Sequence, residues 1–290
     1  MSAGLTIQLI AVLISISCSL LGVFLVLKNM SMLTDAITHT VLLGIVLGFF
    51  VSHNFTSPIL IIGATLVGLL TVYLVEVLVN TRMMKEDAAI AVVLSFLFSL
   101  AIILVSKYTA NIHLDVDAVL LGEIAFAPFH VTNIFGFNVA VGIVTGLIIL
   151  IINLVFVSLF YKELKISIFD KALASSLGMM PILVHYILMS LVSVTSVISF
   201  EAVGSILLIS LMIGPAATSY MISKRLSHML IISSIIGAIS SILGYHIAVL
   251  IDVSIAGSIA VIIGVVFIVV LLLKNMLKNV DDEMKREEII

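Results

Sequence analysis

The sequence predicts an all-α fold, a polytopic transmembrane helical bundle of about eight to nine spans. Three observations predict it. Sixty-two per cent of the 290 residues are apolar and ten per cent are charged. A soluble domain is nearer about half and about a quarter, so the excess must face lipid. The mean hydropathy is +1.40. The apolar residues also gather into runs close to the roughly 20 residues that cross a bilayer as a helix. These runs are longer than membrane-barrel strands and lack their alternation, and a helix satisfies its backbone groups within one segment.

In order, the runs are residues 4–27, 29–51, 57–79, 88–105, 131–160, 182–200, 202–222, 228–251 and 253–273. The first is too long for a secretory leader and lacks a basic start, so it reads as a span. The second is interrupted by Asp35 and His39. Glu76 lies near the end of the third and His185 near the start of the sixth. The seventh contains "GPAATS", and Gly214–Pro215 there reads either as a kink, since proline removes a helix hydrogen bond, or as a broken helix lining a path. His246 lies towards the end of the eighth. Lone histidines of this kind are ordinarily hydrogen-bonded core.

Orientation follows from the basic residues. With the first span entering from outside, every lysine and arginine except Lys107 falls in a cytoplasmic segment, which puts the N-terminus outside and the C-terminus in the cytoplasm. The domain organisation is then a single transmembrane domain, 1–290, with a cytoplasmic loop at about 161–181 and a charged tail at about 274–290, read as a solvated helix end. The external loop 106–130 holds "HLDVDAVLLGEIAFAPF", too short an apolar run to cross, and reads as a re-entrant or interfacial piece. Its His113, Asp115 and Asp117 are spaced either as a hard-ligand cluster or as an ordinary solvated loop.

Several function classes are excluded. A net charge of −3 does not suit nucleic-acid binding. One cysteine, Cys18, builds neither a disulfide framework nor a thiolate metal site. No His-Glu-x-x-His motif supports an intramembrane metalloprotease, and no Gly-x-x-x-x-Gly-Lys loop binds ATP, so ATP-driven work requires another chain. No inverted repeat marks an ion-driven secondary transporter acting alone, which stands as the alternative.

The chemistry concentrates in "MSMLTDAITHTVLLGIVLGFF", 30–50. Positions four apart share a helix face, about 6 Å between Cβ atoms. Asp35 and His39 can therefore bind one small cation, and carboxylate with imidazole suits Mn²⁺, Fe²⁺ or Zn²⁺. A carboxylate inside a span usually faces a cavity, an ion path or a partner. Two ligands are half a site, to be completed by other side chains, the same pair from a second subunit, or water. Asp35 also fits as an N-cap of a helix that starts late. In the loop, "FDKALASSLG", 169–178, combines Ala172, Ala174 and two serines with Gly178 as a helix stop. It reads as a short amphipathic helix, either a plain connection or a surface another protein approaches closely. Glu201 and Asp252 sit in turns after the sixth and eighth runs, either solvated or facing a docked partner or a pore mouth.

"MSMLTDAITHTVLLGIVLG", "FDKALASSLGMMPILVHYILM", "SFEAVGSILLISLMIGPAATSYMI" and "LGYHIAVLIDVSIAGSIAVIIG" follow one another in an order that resembles the membrane permease subunit of bacterial ABC importers for manganese, zinc and ferrous iron. The resemblance covers nearly the whole chain. It implies that Asp35 and His39 bind the metal along the permeation path, with Mn²⁺, Zn²⁺ or Fe²⁺ as substrate and no permanently bound cofactor. It implies that Asp170 to Gly178, including Ala172 and Ala174, is the coupling helix received by an ATPase subunit. The implied assembly is two permeases with a cytosolic ATPase dimer, fed by an extracellular metal-binding protein that docks near Glu201 and Asp252. "GEIAFAPF" and "MIGPAATSY" are similar to the branch in which the second permease is a paralogue rather than an identical copy. The implied location is the bacterial cytoplasmic membrane, and the family's own span count is eight or nine.

Overall fold

The computed structural model describes residues 2–54, 57–108, 124–134 and 137–287. Among them, 9 helices are long and apolar enough to cross a membrane. They are α1 (Ala3–Leu27), α2 (Leu33–Ser52), α3 (Pro58–Asn80), α4 (Glu86–Tyr108), α5 (Val141–Leu159), α8 (Pro181–Val203), α9 (Ser205–Ile222), α10 (Leu226–Ile251) and α11 (Ile255–Glu287). Two short helices, α6 (Tyr161–Phe169) and α7 (Lys171–Ser176), fill the loop between α5 and α8.

The helix ends follow from local chemistry. Ser2 caps α1, and Ser57 caps α3 just ahead of Pro58, whose fixed φ suits a first helical turn. Pro181 opens α8, and Gly204 closes it at φ 77, a backbone state that costs glycine nothing. Pro215 lies inside α9, which runs continuously from Ser205 to Ile222. The charged tail continues α11 as helix to Glu287.

One span begins later than its hydropathy implies. Residues 131–134 and 137–140 are strand rather than helix: β1 (Val131–Ile134) pairs antiparallel with β2 (Phe137–Ala140), Val131 opposite Ala140. The stretch "VTNIFGFNVA" is rich in β-branched and aromatic residues with Asn and Gly about its centre, which is hairpin chemistry that a hydropathy window does not see. Just before it, Ile124–Phe129 forms a 3₁₀ turn that anchors by the fully buried Ile124. His113, Asp115 and Asp117 lie outside the described residues.

α1 is the most buried span and α11 the most peripheral. α1 packs against α5, α8, α9 and α10; α2 packs against α3 and α4; and α9, α10 and α11 pack on one another. α8 joins these groups, touching α1, α2, α3 and α9, and also α6 and α7. In lipid, helices associate through close backbone approach and interhelical hydrogen bonds rather than through the hydrophobic effect. Both are present. Gly44 of α2 lies directly against the backbone of Gly63 and Ala64 in α3, leaving no room for a Cβ. Asn153 of α5, fully buried, donates to Ser17 of α1 at 2.9 Å and to Thr195 of α8 at 3.0 Å.

Candidate functional site

A turn after Lys28 leads into α2, with Asn29 in the left-handed region at φ 61. The N-cap of α2 is Met32, with no side-chain cap, so Asp35 is not the cap; it lies in the first turn, where a carboxylate meets the positive end of the helix dipole. The threonines of this segment are engaged. Thr34 donates to the Met212 sulfur at 3.2 Å, Thr38 to the Asp35 carbonyl at 2.8 Å, and Thr40 lies 2.8 Å from Thr71 on α3.

Asp35 and His39 behave differently. His39 Nε2 stands 3.4 Å from Asp35 Oδ1, one helical turn away, and each side chain is about a third exposed. The His39 ring packs edge-on against Phe98 of α4, and its Nδ1 is buried without a hydrogen-bond partner among the described residues. The pair thus presents a carboxylate and an imidazole nitrogen on one face, unfilled. Among the described residues no three His, Cys, Asp or Glu side chains converge as a metal site. Among the described residues, then, a cation held here would find two ligands, Asp35 and His39.

The loop between α5 and α8 is locally well determined. Asp170 accepts from Leu173 N at 2.9 Å and so caps α7. The far end closes with Gly178 N to Ser175 O and Met179 N to Ala174 O, both 3.1 Å, around Gly178 at φ 77. That is a Schellman motif, and only the backbone state demands glycine, because open space surrounds its Cβ position. Ala172 faces outward, whereas Ala174 is fully buried and holds α7 onto the bundle. Phe169, Leu173 and Leu177 are exposed apolar side chains around the same short helix.

Glu201 lies in the last turn of α8, exposed, and Asp252 is the C-cap of α10 at φ 58. A carboxylate at a helix C-terminus opposes the dipole, so helix stability does not account for either. His246 is exposed, 3.4 Å from Gln8.

A second polar constellation joins residues the sequence presents only singly. Lys28 Nζ lies 2.6 Å from His185 Nδ1, and His185 Nε2 contacts Glu76 Oε1. The ammonium can only donate, so Nδ1 accepts and the Nε2 hydrogen is donated to the carboxylate. Tyr186 packs beside His185 with the two rings tilted 58° to each other, and its hydroxyl also interacts with Glu76. Burial, helped by the charge of Lys171 and opposed by Glu76 and Glu86, pushes the Lys28 pKa down to about 8. Sequence separations of 157 and 109 residues hid this chain; its only trace was a histidine and a glutamate near the same ends of two apolar runs.

A bundle with nine candidate spans among its described residues, an Asp–His pair on its second span and a capped short helix between its fifth and sixth spans has the build of a multi-pass membrane transport subunit. The family model described as the ABC 3 transport family matches residues 5–274. The chain belongs to that family. Its relatives include the "Manganese transport system membrane protein MntD" of Bacillus subtilis, 44% identical over 84% of this chain and 83% of that protein. The "Zinc transport system membrane protein TroD" of Treponema pallidum is 45% identical over 85% of this chain and 67% of that protein. Among solved structures, PsaBC from Streptococcus pneumoniae in complex with Fab superposes with a TM-score of 0.75 at 29% identity, covering 93% of this chain and 91% of that one.

Proposed function

We propose that this chain is the permease of an ATP-driven importer that carries a divalent transition-metal cation across the bacterial cytoplasmic membrane by alternating access. Manganese is favoured, with zinc and ferrous iron as competing substrates. The observation that carries the reading is the Asp35–His39 pair, an unfilled carboxylate and imidazole on one face of a membrane-spanning helix. The names of the manganese and zinc transport relatives support the substrate class.

In this reading residues 1–290 are one permease domain, with the N-terminus outside and the C-terminus cytoplasmic, as the basic residues favour. A second permease, identical or paralogous, brings further ligands to the cation beside Asp35 and His39. An incomplete, part-hydrated site binds the ion loosely enough to release it. The α7 helix, with Asp170 and Gly178 shaping its ends and Ala172 on its outer face, docks on a cytosolic ATPase, which hydrolyses ATP as a separate chain. Its exposed Phe169, Leu173 and Leu177 suit an apolar cleft. Ala174 contributes from inside, by holding the helix in place. An extracellular metal-binding protein delivers the ion near Glu201 and Asp252, whose carboxylates are available to a cation or to a basic docking surface.

The test is uptake of Mn²⁺, Zn²⁺ and Fe²⁺ in competition, by the complex of this chain with its co-expressed ATPase in proteoliposomes. ATP-dependent uptake in which Mn²⁺ outcompetes the others is the expected result. Transport by the lone chain without ATP would refute the importer and favour an ion-driven carrier.

A further inference from the structure

Glu76 and His185 have no part in the ligand reading, yet the fold brings them together with Lys28 from three separate elements. Lys28 ends the turn side of α1, Glu76 lies in the last turns of α3, and His185 lies in the first turns of α8. Glu76 and His185 side chains are each 18% exposed. The hydrogen bonds run in one direction, Lys28 to His185 to Glu76, and both histidine nitrogens are used.

The position of this chain of bonds matters more than its strength. α8 starts only a few residues after α7, across the Schellman closure at Gly178, and Ala174 is buried where α7 meets the bundle. The two helices therefore form one stiff unit. Lys171, the first residue of α7, is close enough for its charge to act on Lys28. Lys28 in turn precedes the short turn into α2, and Asp35 follows in the first turn of that helix. α8 also packs directly on α2 and α3. A push on α7 thus reaches α2 through a hydrogen-bonded link as well as through apolar packing. Apolar contacts let helices slide; a directional bond across two elements holds their register.

We propose that Lys28, His185 and Glu76 are positioning residues for transport, passing displacement of the α7–α8 unit to the α1–α2 turn and so to the helix that carries Asp35 and His39. This rests on the reading of α7 as the ATPase contact. The link makes ion movement follow ATP hydrolysis; without it, the ATPase turns over while α2 responds weakly.

The experiment uses the full complex in proteoliposomes and measures Mn²⁺ uptake and ATP hydrolysis in the same sample. His185→Leu removes both bonds. His185→Gln keeps an acceptor for Lys28 and a donor for Glu76. A network link of this kind modulates coupling by roughly three- to thirtyfold, so His185→Leu should raise the ATP hydrolysed per Mn²⁺ by about tenfold, and His185→Gln should recover most of the loss. Lys28→Met with Glu76→Gln, which removes both charges together, should reproduce the uncoupling and serves if His185→Leu accumulates poorly. An unchanged ratio in His185→Leu, or in the paired variant where that is the one measured, overturns the proposal. So does a His185→Gln variant as uncoupled as His185→Leu. A purely structural role lowers abundance and both rates together and leaves the ratio alone. Wild-type uptake that ignores ATP would instead overturn the importer reading, and this proposal with it.

Discussion

The molecule contains two acid–histidine pairs built from the same chemistry and left in opposite states of engagement. Asp35 and His39 share one helix, four residues apart, about a third exposed, with the second histidine nitrogen unpartnered among the described residues. Glu76 and His185 come from different helices, 109 residues apart, and the histidine's second nitrogen is occupied by Lys28. The first pair has coordination capacity to spare and so can accept a cation. The second is saturated by a tethered ammonium and so can hold helices in register but has little left to offer an ion. What separates a ligand pair from a structural one is not the residue types but whether the protein itself has already filled their bonds.

The comparison can be broken by variants that ask which pair governs uptake and which governs stability. The largest expected effect is on uptake. Asp35→Ala and His39→Ala each remove a charge-assisted or donor contact worth about 1.5–3 kcal/mol, so Mn²⁺ uptake should fall roughly ten- to hundredfold at normal membrane abundance. Their melting temperatures in detergent should stay close to wild type, since the only contact either makes with another element among those described is the edge of the His39 ring against Phe98. Wild-type uptake rates from both would end the ligand assignment.

Next comes stability. Glu76→Gln leaves Lys28 without its buried counter-charge and should cost about 2–3 kcal/mol, seen as a lowered melting temperature in detergent. If Asp35→Asn lowered it as much, the two pairs would not differ as described. A smaller effect probes the packing that keeps α2 in place between them. Gly44→Ala forces a methyl into the α3 backbone and should destabilise by about 1–2 kcal/mol. Uptake should fall with it, because Asp35 and His39 ride on the displaced helix.

The last test is a pH dependence. The folded protein holds Lys28 at a pKa of about 8, against an ordinary 10.5. Burial therefore penalises the charged form, and this cost is fully present below about pH 8. It lifts as pH rises through 8 towards 10.5, where the unfolded chain still binds the proton. The melting temperature of wild type minus that of Lys28→Met should rise across that window. A flat difference would place Lys28 in solvent rather than against His185.

Much of this was legible in the sequence, and the failures have physical reasons. Eight of the spans could be bounded to within a few residues because lipid demands long apolar runs, whatever their partners. The start of α5 could not, because "VTNIFGFNVA" is apolar enough to extend a span while its residues 131–134 and 137–140 pair as antiparallel strands. The Asp35–His39 pair was visible because helical spacing alone puts positions four apart on one face. Its alternative as a helix cap was not decidable there; the structure starts α2 at Leu33, three residues earlier than such a cap requires. The Gly178 helix stop was readable as local chemistry, but the burial of Ala174 was not, because it depends on what α7 lies against.

By itself, then, the sequence determined the membrane class, a count of eight to nine crossings, the shared helix face of Asp35 and His39 and the helix stop at Gly178, all properties set within one helix or by contact with a uniform solvent. Only the tertiary structure decided which polar groups are left open and which are filled. That depends on neighbours more than a hundred residues away, as when α8 carries His185 between Lys28 and Glu76. Local periodicity fixes the face of a helix, but the partner across that face is chosen by packing.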